Sequence, residues 1–205
     1  YESAVSLTLS PSAGTPEIRY TLDGSMPESD SPLFTTPISI SETSVVRARC
    51  FAVDLLPGDI ASRSFFIGEN TLLPVFSMTI NPDFLWDPEI GIYVDEGIQE
   101  RTEWEREGTL AYFNKNHEKD FEIDANIRLF GNTAYFYPQK SIAVFPDNPL
   151  NYKLFESQET TLFNSFLLRS SSDDWPYTML RDGLLQSLVK NRMSLDHQAY
   201  EPTVF

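Results

Sequence analysis

Apolar and polar residues alternate with a period of two over most of this chain, which predicts a protein built chiefly from strands. Residues 5–9 (VSLTL) and 18–22 (IRYTL) alternate cleanly, as half-buried strands do. Asp23-Gly24 and the stretch to Pro32 carry turn chemistry. Further strands are predicted at 38–40, 44–53 and 62–67, and nothing before residue 68 has a helical period. The first 68 residues therefore read as a small all-β sandwich. Beyond them the pattern predicts a strand at 73–80, a turn and short helix at 81–86 stopped by Asp87-Pro88, and a short strand at 90–94. Strands follow at 109–113 and 121–129, joined by a polar tip at 114–120. A Gly131-Asn132 turn leads to a strand around Ala143. Residues 148–165 look irregular, 166–168 read as a short buried strand, and 199–205 as another strand. Only residues 178–190 are strongly helical, with Met179, Leu180, Leu184, Leu185, Leu188 and Val189 recurring at three and four. Gly183 within that run implies close packing against its backbone.

Composition narrows the function classes. At 205 residues with 41% hydrophobic and 13% aromatic side chains, the chain has enough apolar surface for a packed core. No apolar run reaches the roughly 20 residues that a membrane-spanning helix needs. The net charge is −15, which repels nucleic acid and anionic membrane surfaces. Residues 1–68 carry 4 basic and 8 acidic side chains, and residues 69–205 carry 11 and 22. A nucleotide would need a local basic pocket or divalent cations. Cys50 is the sole cysteine, so an internal disulfide is excluded; in the run VVRARCFAV it reads as a small buried hydrophobe.

The segments YESAVSLTLS, IRYTLDGSMPESDSPLFTTPISISETSVVRARCF and SFFIG resemble the small sandwich domain of chitobiases and β-hexosaminidases. That resemblance implies an accessory module of an exported, carbohydrate-associated protein. Asp23, Glu28 and Asp30 fit a calcium loop or an acidic hairpin loop, and their spacing favours the hairpin. Residues 69–205 resemble the CotH family of spore-coat and extracellular bacterial proteins. The segments LPVFSMTINPDFLWDPEIGIYV, WEREGTLAYF, IRLFGNTAYFYPQKSIAVF and FLLRSSSDDWPYTMLRDGLLQSLV carry the likeness. The resemblance implies an α+β class, with the sandwich at 1–68 and an atypical protein-kinase-like domain from 69. Of that domain it implies mainly the N-lobe antiparallel sheet and one helix. It also implies a bacterial protein secreted or held at the cell surface, with a protein substrate or a cell-surface glycan as partner. In that family the catalytic and metal-binding aspartates lie beyond the strand at 199–205. The expectation is thus a piece of a longer protein, its leader removed before Tyr1, that does not itself transfer phosphate.

The order of parts matches the front of a kinase: strand, turn, strand bearing a lysine, then a helix bearing an acid. Gly131 and Asn132 supply the turn, Lys140 the cation, and Arg181 and Asp182 the first turn of the helix. Asp182 is expected to pair with Lys140 and aim its ammonium at a phosphate of ATP, bound with Mg or Mn. Arg181 is an alternative phosphate contact. Asp182 also suits the helix N-terminus electrostatically. Phe130, Tyr135 and Gln139 stand where family members often carry polar or cationic residues, leaving fewer positive charges near the turn. The second reading is a non-catalytic extracellular structural or carbohydrate-associated protein.

The remaining clusters have structural explanations. Arg169 with Asp173 and Asp174, beside Trp175, reads as an arginine–aspartate pair locking a strand to the helix, ahead of a metal site. Thr178 is placed to cap the helix. Trp86, Trp104 and Tyr112 are expected in the core rather than as a sugar platform. His117 and His197 lack ligand spacing, and Glu103, Glu105 and Glu107 share a solvated strand face rather than forming a glycosidase pair.

Overall fold

The structure is a computed structural model that describes residues 1–94, 101, 103–131, 136–190, 192–193 and 196–205. Among these the protein is mostly β-sheet, with two short α-helices. It forms two compact units, Tyr1–Leu72 with Thr79–Pro82, and Leu73–Met78 with Asp83–Phe205. No helix of the described residues is long and apolar enough to cross a membrane.

The first unit pairs β1 (Val5–Leu7) with β3 (Ile38–Ile40), and sets β4 (Ser44–Phe51) between β2 (Glu17–Thr21) and β5 (Ile60–Phe65). All these pairs are antiparallel. Period-two alternation puts Ile40, Val46 and Phe65 inside, with Val5, Leu7, Ile38 and Ile67 packed around them. Arg19, Arg47 and Arg49 take the alternate positions on β2 and β4 and tie down loops. Arg47 donates to the Gly24 carbonyl, Arg49 to that of Gly58, and Arg19 to that of Ser31. Gly24 has φ +83°, the left-handed geometry that the Asp23-Gly24 turn demands. Asp23 Oδ1 accepts from the Ser25 N–H at 3.0 Å and the Ser25 hydroxyl at 2.6 Å. Those bonds, the hydroxyl first, hold its carboxyl below the usual range, so this acid closes its own turn. Cys50 is half-buried opposite Ile18.

Most of the second unit is a five-stranded sheet in the order β12-β9-β8-β7-β6, to which it contributes all but Thr79 and Ile80 of β6, with β7, β8, β9 and β12 pairing antiparallel. The strands are β6 (Val75–Ile80), β7 (Arg106–Phe113), β8 (Lys119–Phe130), β9 (Ser141–Pro146) and β12 (Phe166–Leu168). Register aligns Ile127 with Val144 and Phe166, and Leu129 with Ile142 and Leu168, on one buried face. Laid flat, the two outer strands would lie about 19 Å apart. Yet the rings of Phe76 on β6 and Phe166 on β12 are 5.6 Å apart. The sheet is therefore rolled, with Phe76, Tyr112, Phe121 and Phe166 filling the inside of the curve.

Several expectations are corrected here. Residues 90–94 form a turn and loop rather than a strand. The carbonyls of Ile90 and Gly91, which a neighbouring strand would need, accept instead from Arg106 and Arg101. Both guanidinium groups also stack on Trp104, at 5.1 and 5.2 Å. Gly91 fits there because a Cβ would lie 2.6 Å from the carbonyl oxygens of Leu85 and Asp87. The 148–165 stretch holds a small antiparallel pair, β10 (Leu150–Asn151) and β11 (Leu162–Phe163). In the C-terminal segment only Val204 makes a strand-like bridge, to Val75. Helix α1 spans Pro82–Trp86, and α2 covers Arg181–Val189, starting later than the leucine spacing suggests. Trp86 is 57% exposed rather than core, edge-on to Tyr93 at 5.1 Å.

Candidate functional site

Lys140 ends the 131–140 connection between β8 and β9 and is only 3% exposed. Its backbone N–H donates to the Tyr93 hydroxyl at 2.7 Å. Its ammonium donates to the Tyr137 carbonyl at 3.3 Å and lies 4.8 Å from the centre of the Tyr93 ring. A cation over an aromatic face is attracted by the ring quadrupole, more strongly where water is excluded. Burial pushes the Tyr93 hydroxyl above its ordinary pKa, and the bond from Lys140 partly opposes that. Gly131 opens the connection at φ +112°, a geometry that suits glycine. Asn132, Thr133 and Tyr135 lie outside the described residues.

Asp182 does not serve Lys140. Its Oδ2 lies 2.9 Å from Nε of Arg169, which joins the end of β12 to the first turn of α2. The expected strand-to-helix lock thus exists, but with Asp182 as its acid rather than Asp173 or Asp174. Physically, Arg169 directly follows β12 and its guanidinium reaches the helix, whereas Lys140 is held against Tyr93 and Tyr137.

Asp174 is the acid that sequence reasoning undervalued. It belongs to a 3-10 turn (Ser172–Asp174), and its side chain is 4% exposed. One carboxylate oxygen accepts from the Thr178 hydroxyl at 2.5 Å and from the N–H groups of Leu180 and Arg181 at 3.1 and 2.9 Å. The other lies 3.2 Å from the Arg181 guanidinium. These contacts, led by the Thr178 hydroxyl, hold its carboxyl below the ordinary range. Asp174 therefore satisfies the first free N–H groups of α2, and Thr178 assists by accepting from Leu180 N–H at 3.2 Å. The signal was legible as an acid a few residues ahead of a helix start. The four-residue reach from Asp174 to Thr178 was not.

Tyr137, whose carbonyl receives the Lys140 ammonium, donates its hydroxyl to Asp173 at 3.1 Å, next to Asp174. Gln139 donates to the Phe205 carbonyl at 3.1 Å. Glu103 pairs with Arg128 at 2.7 Å rather than with another carboxylate. No group of three histidine, cysteine or acidic side chains among the described residues is arranged to hold a metal ion.

Two units, one a sandwich and one a rolled sheet with a buried lysine, define the protein's class as a β-rich two-unit chain. Residues 1–61 match the family described as chitobiase/beta-hexosaminidase C-terminal domain. No curated protein and no solved structure matches the chain.

Proposed function

We propose that this chain belongs to an exported, carbohydrate-associated binding protein, CotH-like in its second unit, that keeps a kinase-like order of parts without phosphoryl-transfer chemistry. One observation carries the reading: the lysine and the acid that would position a nucleotide are each engaged elsewhere, Lys140 with Tyr93 and Tyr137, Asp182 with Arg169. A lysine that is 3% exposed has little surface to offer a triphosphate. The likeness of residues 1–61 to a chitobiase-type module points to a glycan at the cell surface as partner. Trp86, exposed at the end of α1, offers a flat face for a sugar ring.

Calorimetry with ATP and Mg²⁺ or Mn²⁺ on the full-length protein tests the first half. No binding heat is expected at millimolar ATP, for the parent or for Lys140→Ala. Binding that Lys140→Ala abolishes overturns the reading. Retention on chitin beads, weakened by Trp86→Ala, tests the second half. A nucleotide-binding reading keeps one observation in its favour. Gly131 at φ +112° and Lys140 bracket the same connection, and Arg181 is free enough of burial to swing toward a phosphate.

A further inference from the structure

Three of the four basic side chains in the first unit share one face of its three-stranded sheet. Arg19 on β2 stands directly opposite Arg49 on β4, and Arg47 lies two residues along β4 on the same side. Directly opposed like charges weaken a sheet, so this face is not arranged for stability alone. Two of the three guanidinium groups are engaged. Arg19 pairs with Glu17 at 2.6 Å and donates to the Ser31 carbonyl at 3.0 Å. Arg47 is 9% exposed and donates to the Gly24 carbonyl at 3.0 Å. Arg49 differs. Its Nε donates to the Gly58 carbonyl at 2.7 Å, and its guanidinium carbon lies 5.9 Å from the centre of the Phe51 ring. Gly58 is itself fixed, its N–H donating to the Cys50 carbonyl at 2.9 Å. The terminal amino groups of Arg49 make no hydrogen bond or ion pair with any described residue, and they reach solvent. Asp54 and Asp59 belong to the same β4–β5 connection, yet neither pairs with it.

We propose that Arg49 holds the carboxylate of a uronic acid, one sugar of the glycan partner argued above, and the inference rests on that carbohydrate reading. A guanidinium fixed at Nε and backed by an aromatic ring presents its remaining N–H donors as a rigid fork, which matches the two oxygens of a planar carboxylate. One open fork suits one negative charge. Ile60, directly opposite Arg49 on β5, gives aliphatic surface for the C–H face of a sugar ring. Ser62, two residues further on the same face, offers a hydroxyl that donates and accepts. The chain charge of −15 does not forbid an acidic ligand here. Carboxylates farther away than about 8 Å are largely screened at physiological salt, whereas the fork acts in contact. The site lies on the first unit and uses neither Lys140 nor Trp86.

The probe is a galacturonate hexasaccharide, fluorescein-labelled at its reducing end and titrated by fluorescence anisotropy against the whole protein at physiological salt. Its methyl ester keeps the rings and loses the charge, and a labelled hexaglutamate peptide keeps the charge without the sugar. Saturable binding is expected, weakened at least tenfold by esterification and by Arg49→Gln, and unmatched by hexaglutamate. Arg49→Lys, which keeps the charge without the fork, should recover only part of the loss. Trp86→Ala should leave the affinity unchanged. Esterification acts on the ligand, so it decides the question even where a variant at position 49 unfolds. Equal binding of hexaglutamate means an acidic peptide or charge alone suffices and overturns the proposal. So does equal binding of the ester, an unaltered affinity in a folded Arg49→Gln, or no binding at millimolar sugar. Failure here with retention on chitin beads intact overturns this inference alone, whereas failure of both removes the carbohydrate reading beneath it.

Discussion

The strands β7 to β9 and the helix α2 are both built from apolar residues at regular spacing, yet they end on opposite sides of the solvent boundary. Leu110, Ile127 and Val144 are fully buried. Leu180, Leu184, Leu185 and Leu188 are all exposed, and the buried residue of α2 is Gly183. Regular spacing therefore says which side of an element is apolar, and nothing about whether a partner covers it. In the sheet the cover is the sheet itself, because rolling brings Phe76 against Phe166 and closes the curve over its own side chains. The helix is held by other means. Arg169 grips Asp182, Asp174 takes its leading N–H groups, and the Tyr200 ring lies against Gly183.

The largest effect separating these regions is expected at Ile127. Truncation to alanine removes a fully buried side chain between Val144 and the rest of the curve, and should cost about 2–5 kcal/mol. All three tryptophans, Trp86, Trp104 and Trp175, lie in the second unit, so tryptophan fluorescence in urea reports on that unit alone. The midpoint should fall with the slope unchanged. A loss below 1 kcal/mol would show that the curve collapses around the gap and that its packing is loose.

Gly183→Ala comes next. A Cβ there would stand 2.5 Å from the Tyr200 ring, far inside van der Waals contact. Overpacking costs about 1–3 kcal/mol, against a gain of up to about 1 kcal/mol for replacing a helical glycine. The net should be destabilising, and adding Tyr200→Ala should reverse its sign. If Gly183→Ala alone stabilises, the ring is not fixed against the helix.

The acid limb of stability sharpens the comparison further, because it touches the helix and not the sheet. The folded carboxyl of Asp174 titrates below its ordinary value of 3.8, so the unfolded chain binds its proton first as pH falls. Its contribution is complete above about pH 5 and disappears as pH drops through the folded value. Melting temperature measured from pH 6 to pH 2 should therefore fall more steeply for the parent than for Asp174→Asn. Parallel curves would mean that the carboxylate is not the anchor of α2.

Much of the strand order was legible because alternation, Asp23-Gly24, the 114–120 tip and Gly183 each leave a local mark. The rest depended on distant residues. Residues 91–94 have strand composition, but Arg101 and Arg106 occupy the carbonyls beside them. Lys140 and Asp182 have the order of a kinase ion pair, but Tyr93, about fifty residues earlier, supplies a nearer surface for the cation. Trp86 had the composition of core and lies outside it because it falls at the end of a five-residue helix with no buried residues of its own. The first two outcomes are not encoded within a ten-residue window, whereas that of Trp86 is local.

The smallest effect is expected where the sequence pattern is most persuasive. Leu185, 55% exposed, is one of the spaced leucines that first marked α2. Replacing an exposed side chain away from special features usually changes stability by less than about 0.5 kcal/mol. Leu185→Ser should therefore leave the urea midpoint almost unmoved, whereas the buried leucine at position 110 should behave like Ile127. Serine is a weaker helix former than leucine, so a loss of a few tenths of a kcal/mol would be ordinary propensity. A loss above about 2 kcal/mol would have a different meaning. It would show that the leucine face is covered in solution, and that spacing alone had identified a buried surface after all.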